Sequence, residues 1–435
     1  MKSYNSLCTI RRQFESAVQS VVDDIACYSS DPIADFSRNR KLPAHILIPL
    51  IIQMGSASLP TELANFFDDP KFSVTASAFC QQRSKLDPEA FLHILHLMSF
   101  SRSPSLLKGY RVLAMDGSDV NIPFDPDDEE TLCQTGSARP FSQLHLNALY
   151  DCLNDLFLDV SIDSSRKTGE CAALKRLIRD HRYPAGSIIC ADRGFENYEL
   201  FAFCMENGQK FVIRCKDIRS NGILSTFELP DSEFDQKIKR ILTRKQTNEV
   251  KEHPELYKYF AWNINFEYMP KGGAEEYPIE FRVVRIEVKK GEYECLITNL
   301  PPEKFSLDDL KELYHLRWNE EVGFRKLKYT IGMLDFHSKK RKFIRQEIYG
   351  ALTLHNLAAL MIHAVPIEQK KDKKYEYKAN FSIGTTNIKK FLKRKIGARE
   401  LEERIKKGLI PIRPDRCYKR NMRAQRVHAF QHRPA

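Results

Sequence analysis

Two short apolar runs, YRVLAM and SIICA, each stop at an aspartate, Asp116 and Asp192, and the elements around them leave few architectures open. Aromatic and β-branched enrichment marks YRVLAM as a strand, and HLNALYDC and LFLDVSI follow as two strands hinged at Asn154 and Asp155. A helix over about residues 170–180 precedes SIICA. Another over 197–207, terminated by Gly208, precedes the strand KFVIRC. Strand, hairpin, helix, strand, helix, strand predicts an α/β fold in which strand ends present the two aspartates to a shared cleft.

A second constraint lies downstream. Arg317, Glu321 and Lys328 stand 3, 7 and 14 residues after Tyr314. At roughly 100° per residue they fall near 300°, 340° and 320°, a stripe about 60° wide. One helix face therefore offers a phenol, a guanidinium, a carboxylate and an ammonium. Ser306, three residues before Asp309, caps this helix, and Leu310, Leu313, Leu316 and Leu327 give its apolar positions, so it is predicted over residues 307–329. A further helix over 343–363 stops before Pro366, and the basic run Lys339, Lys340, Arg341, Lys342 lies between the two.

With 435 residues, 42% hydrophobic and 11% aromatic, the chain can fill the cores of about two to four domains. Residues 42–100 read as short helices: PAHILIPLIIQM, PTELANFF, SVTASAFCQQRSKL, and one opened by Asp87 and Pro88. The third combines apolar Val74, Ala78 and Phe79 with a polar end of Gln81, Gln82, Arg83 and Lys85, which would suit a helix presented to DNA. Residues 216–306, containing YKYFAWNINFEY, FRVVRIEV and YECLITN, read as a β-rich insertion. The net charge of +11 is unevenly placed: residues 366–435 hold 21 Lys and Arg against 7 Asp and Glu, the rest 47 against 50. A basic, loosely patterned tail points to a polyanionic partner, because each neutralised phosphate releases condensed counterions. Eleven cysteines form no Cys-x-x-Cys pair, which speaks against a zinc knuckle or redox dithiol and for reduced cytoplasmic thiols. The opening MKSYNSLCTIRRQFE lacks a signal-peptide core and the run 46–52 is too short for a bilayer, so a soluble protein of the cytoplasm or nucleoid, with no membrane partner, is expected.

Three carboxylates brought together by such a fold would repel and retain protons unless a divalent cation lay among them. Hard oxygen ligands select Mg²⁺ or Mn²⁺, and two such ions can activate a water or 3′-hydroxyl and stabilise the leaving oxygen at a phosphodiester. Asp116 before Gly117, and Asp192 before Arg193 and Gly194, could instead shape turns. Asp119 reads as solvated or outer, and His145 as a packed or hydrogen-bonded strand residue. No Gly-rich phosphate loop, Ser/His/Asp arrangement or His/Cys cluster is legible.

AMDGSDVNIP around Asp116, CADRGFENYEL around Asp192 and YHLRWNEEVGFRKLK around Glu321 resemble the DDE transposases of bacterial insertion sequences. Within them the chain resembles the insertion-sequence-four-type branch, marked by Tyr-x2-Arg-x3-Glu-x6-Lys. The likeness spans about residues 110–363. It implies an α/β fold with a ribonuclease-H-like catalytic core, which also agrees with the element order, interrupted by the β-rich insertion. The expected division is 1–105, an N-terminal helical and DNA-binding domain; 106–215, the first part of the core; 216–306, the insertion; 307–365, the second part of the core; and 366–435, the basic C-terminal region. The resemblance further implies that Asp116, Asp192 and Glu321 are catalytic and ligate two Mg²⁺, with Mn²⁺ as a substitute, while Tyr314, Arg317 and Lys328 hold the DNA backbone. Such enzymes bind terminal inverted repeats of double-stranded DNA as a homodimer, cleave hydrolytically and join 3′ ends to target DNA. Some pass through a hairpin assisted by tryptophan, and Trp262 and Trp318 are the two present here. The rival readings are a ribonuclease-H-like nuclease without strand transfer and a DNA-binding relative without catalysis.

Overall fold

The computed structural model describes residues 3–38, 40–67, 74–100, 104–134, 136, 139–164, 169–180, 183–369 and 374–413. Helices α1 (Ser3–Asp23), α2 (Ala44–Gln53), α3 (Leu59–Phe66), α4 (Ala76–Arg83) and α5 (Glu89–Phe100) open the chain. The last four fall where the sequence puts them, α5 behind Asp87, whose Oδ1 accepts the Glu89 N–H at 2.9 Å. Helix α1 was not foreseen. Its Leu7, Ile10, Phe14, Val18 and Val21, spaced three or four apart, are all buried, a stripe masked by the polar residues between them. In α4 one residue of the polar end is withdrawn from any partner: Arg83 is fully buried and donates to Gln346 Oε1 (2.9 Å), Glu347 Oε1 (2.9 Å) and Phe343 O (3.0 Å). Three inward acceptors, one of them charged, hold this guanidinium in the core.

Ten strands then build one sheet around two helices that return the chain. In chain order these are β1 (Arg111–Ile122), β2 (Leu132–Cys133), β3 (Phe141–Asp151), β4 (Leu156–Ser164), α6 (Glu170–Arg179), β5 (Ser187–Ala191), α7 (Tyr198–Glu206), β6 (Lys210–Cys215), β7 (Phe234–Thr243), α8 (Asn248–Glu252), β8 (Tyr257–Tyr259), β9 (Glu276–Lys289) and β10 (Glu292–Thr298). Their order is β2-β3-β1-β5-β6-β10-β9-β7-β8, with β4 also paired to β3. β1, β5 and β6 are parallel, as crossovers through α6 and α7 require, whereas β3 and β4 form a hairpin that turns at Asp155 with φ 59°. Residues 216–306 widen this sheet directly, because β10 pairs antiparallel with β6. Of YKYFAWNINFEY only the first three residues are strand. The rest is a loop gathered by buried Arg244, which donates to the carbonyls of Phe260, Ile264 and Met269.

The helix predicted over 307–329 is divided into α9 (Leu307–His315), α10 (Trp318–Arg325) and a π turn (Lys326–Ile331) closed by Gly332 at φ 95°. Its start is the expected capping box, with Asp309 N–H on Ser306 Oγ and Ser306 N–H on Asp309 Oδ2. Helix α11 (Arg341–His363) packs against α2, α5 and β4 and buries Gln346, Glu347, His355 and Asn356 along with its apolar residues. Among the described residues no helix is long and apolar enough to cross a membrane. The tail is better ordered than its pattern suggested. It forms β11 (Tyr377–Ala379), α12 (Phe381–Leu392), α13 (Ala398–Lys407) and β12 (Leu409–Pro411), with Ile388, Phe391, Leu401 and Ile405 buried and α13 packed on α1. Much of the basic tail, residues 414–435, lies outside the described residues.

Candidate active site

The parallel β1–β5 ladder ends at the pair Met115 and Ala191, so Asp116 and Asp192 follow it at the same level on adjacent strands. Asp116 shapes no turn, whereas Asp192 does. Asp116 lies inside β1, which β3 carries on past it from Ala148 to Ser142. Asp192 leaves β5 and caps a short 3-10 turn, accepting the Gly194 N–H on Oδ1 at 2.7 Å. Burial pushes the Asp116 carboxyl up to about 6; the Gly117 N–H and Arg317 oppose this, while the charges of Asp192 and Glu170 add to it.

Glu321 reaches the same place from α10, one turn beyond Arg317. The Arg317 guanidinium stands 3.3 Å from Glu321 Oε1 and 3.8 Å from Asp116 Oδ2. Burial works against its charge, but Tyr314, Asp116, Glu321 and Asp192 outweigh burial and hold its pKa above the ordinary value. All three carboxylates singled out from the sequence thus act on one buried cation. Arg317 is only 5% exposed, so in this state it faces the acids and not the solvent.

The other members of the stripe divide. Tyr314 is buried, and burial pushes its phenol up to about 12 against Arg317 and Arg214. Lys328, within the π turn, donates from Nζ to the Asp119 carbonyl at 2.8 Å. Burial lowers its pKa while Asp119 opposes. Trp318 is 40% exposed, with the Arg317 guanidinium 5.2 Å from its ring centroid. In the basic run Arg341 pairs with Asp128 and with Glu130, the latter at 2.6 Å, and Lys342 donates to Ser30 Oγ and the Ser84 carbonyl.

Among the described residues no three His, Cys, Asp or Glu side chains are grouped closely enough to hold a metal ion as they stand. The donor set nevertheless fits a hard divalent cation: three carboxylates, no sulfur, and an Asp116 proton affinity raised first by burial and further by the charges of Asp192 and Glu170. Two acidic residues near the site escaped the sequence reading. Glu320 is fully buried, and burial, with the Asp116 charge next, drives its carboxyl well above the ordinary range. Glu170, recognised only as the start of a helix, lies beside both aspartates; its signal would have been the α6 N-terminus at the sheet end that bears them.

A family model described as the transposase DDE domain matches residues 107–357, more than half of the chain and all of this site. No curated protein matches the chain. Among solved structures it is similar to a piggyBac transposase in a synaptic complex with hairpin DNA, at 9% identity and a TM-score of 0.45, over 94% of this chain and 86% of the other. On the extent of the family match, the chain belongs to the transposase DDE domain family.

Proposed function

We propose that this protein is the transposase of an insertion sequence, with Asp116, Asp192 and Glu321 as catalytic metal ligands in a ribonuclease-H-like core of residues 106–215 and 307–365. On this reading residues 216–306 are an insertion, and residues 1–105 and 366–435 flank the core and contribute to binding of transposon ends and target DNA by a homodimer. The observation that carries it is Arg317 standing between Asp116 and Glu321, with the charge of Asp192 also acting on it. Two Mg²⁺ ions, when bound, would supply Lewis acidity and an activated oxygen nucleophile at the scissile phosphodiester. The protein's own groups hold these charges in place. Asp116 and Asp192 are fixed by backbone N–H donors, at 2.8 Å from Gly117 and 2.7 Å from Gly194. Arg317 balances their repulsion within a buried setting, and Lys328 stands at the rim, where an ammonium can contact a phosphate oxygen.

The test is a cleavage and joining assay on a duplex bearing the short inverted repeats that flank the coding region. Asp116→Asn, Asp192→Asn and Glu321→Gln should each abolish cleavage while leaving DNA binding intact. Cleavage at the wild-type rate by any one variant removes that residue from the site. Cleavage without joining of a pre-cut 3′ end would make the protein a nuclease and not a transposase.

A further inference from the structure

Helix α10 carries Glu321, and residues on both sides of that glutamate hold the helix to one piece of the sheet, the turn of the β3–β4 hairpin. Asn319 donates from Nδ2 to the Cys152 carbonyl at 3.0 Å. Gly323 lies against Tyr150, where a Cβ would stand 2.7 Å from Cε2. The Phe324 ring meets that of Phe157 at 5.5 Å between centroids, and Lys326, the first residue of the π turn, pairs with Asp155 Oδ2. Asp155 accepts the hydroxyl of the fully buried Tyr150 on its other oxygen, and His355 and His363 of α11 approach the same carboxylate at 4.0 and 3.9 Å.

Two features set this contact apart from ordinary packing. Asp155 occupies a turn position at φ 59°, which glycine fills at least cost, yet its side chain is turned to Lys326 and Tyr150 and is only 16% exposed. Strand β3 also runs from this turn to the first aspartate, since Tyr150 pairs with Ala114 and Ala148 with Asp116. One strand therefore borders both the strand of Asp116 and the helix of Glu321. From this geometry we infer that Asp155, with Tyr150 and Lys326, is a positioning residue: it fixes α10 on β3 and so keeps Glu321 in register with Asp116. The inference rests on the reading of Glu321 as a metal ligand given above. Asp155 acts through the helix and not on DNA, and a displacement of about 1 Å in a reacting constellation can cost about 100-fold in rate.

The experiment uses the full chain and the duplex bearing the flanking inverted repeats. It measures single-turnover cleavage, duplex affinity and, without DNA, the Mg²⁺ concentration that gives half of the metal-induced rise in melting temperature. Asp155→Asn and Lys326→Met should each slow cleavage about 10- to 100-fold at unchanged duplex affinity and raise the Mg²⁺ midpoint. Lys326→Arg, which keeps the ion pair, should restore most of the rate. Tyr150→Phe loses only the hydroxyl and should shift both readouts in the same direction, serving as the second variant should the others unfold. If the variants melt lower in EDTA yet cleave at the wild-type rate with the wild-type Mg²⁺ midpoint, these contacts hold the fold alone and the inference fails. If Glu321→Gln also keeps the wild-type rate and midpoint, the metal-ligand reading itself fails.

Discussion

Asp116→Asn should make the metal-free protein more stable while making it inactive. The carboxyl of Asp116 lies at about 6 in the folded chain against an ordinary 3.8, burial being the largest cause. As pH rises through this interval the unfolded chain releases its proton first, so the folded state loses stability from about pH 3.8 and the loss is complete above about 6. From these two values the cost is about 1.6 kcal/mol at pH 5 and about 3 kcal/mol at pH 7.5. Asparagine keeps the shape without the charge, so the variant should gain about those amounts in unfolding free energy. Guanidinium titrations in EDTA at the two pH values, followed by tryptophan fluorescence, measure the difference. Equal gains at both pH values, or a variant less stable than wild type at pH 7.5, would refute the electrostatic reasoning. Mg²⁺ should then close the gap, since a ligand at 100 times its Kd adds about 2.7 kcal/mol to the wild type and bypasses the variant.

Three other substitutions test the surroundings. Glu320→Gln should raise the melting temperature at pH 8 and leave it unchanged at pH 4, because burial holds this carboxyl well above 4.5 and its stability cost appears only as pH rises past that value. Arg83→Met should lose about 3 kcal/mol in denaturant titrations, since it leaves the buried Glu347 with His337 in place of a guanidinium as its charge partner; Arg83→Met with Glu347→Gln should recover part of the loss. Gly323→Ala should cost about 1–3 kcal/mol by thermal melting, because its Cβ would stand 2.7 Å from Tyr150 Cε2.

What the sequence disclosed and what it hid follow a physical division. Asp116, Asp192 and the order of elements were legible because apolar runs, a hairpin signal and glycine stops are local. The same logic gave α2, α3, α5 and the capping box at Ser306. Periodicity also found the face shared by Tyr314, Arg317 and Glu321, but a period names a face and not what it meets. Tyr314 and Arg317 therefore read as groups for phosphate and are buried, the latter against acids. Arg83 failed as a DNA-facing residue for the same reason, since its acceptors lie more than 250 positions away on α11. The π turn that holds Lys328 could not be foreseen from spacing. Glu170 and His145 were invisible as partners because only the strand register of Asp119 with His145 brings them beside Asp116.

Charge accounting within the site explains why one buried arginine is compatible with cation-dependent chemistry. Asp116, Asp192 and Glu321, once ionised, act on the Arg317 guanidinium, while burial raises the proton affinity of Glu320. These three carboxylates and Arg317 sum to two negative charges, to which the neighbouring Glu170 adds, so bound cations are favoured and a proton on Asp116 relieves part of the repulsion. A lysine in place of Arg317 could shed its own proton when buried, but a guanidinium does not, so the positive charge stays fixed and the titration falls on the carboxylate. The proton on Asp116 and a bound cation are therefore competitors for the same negative charge. A fall in pH through about 6 should weaken metal binding by loading the proton in its place.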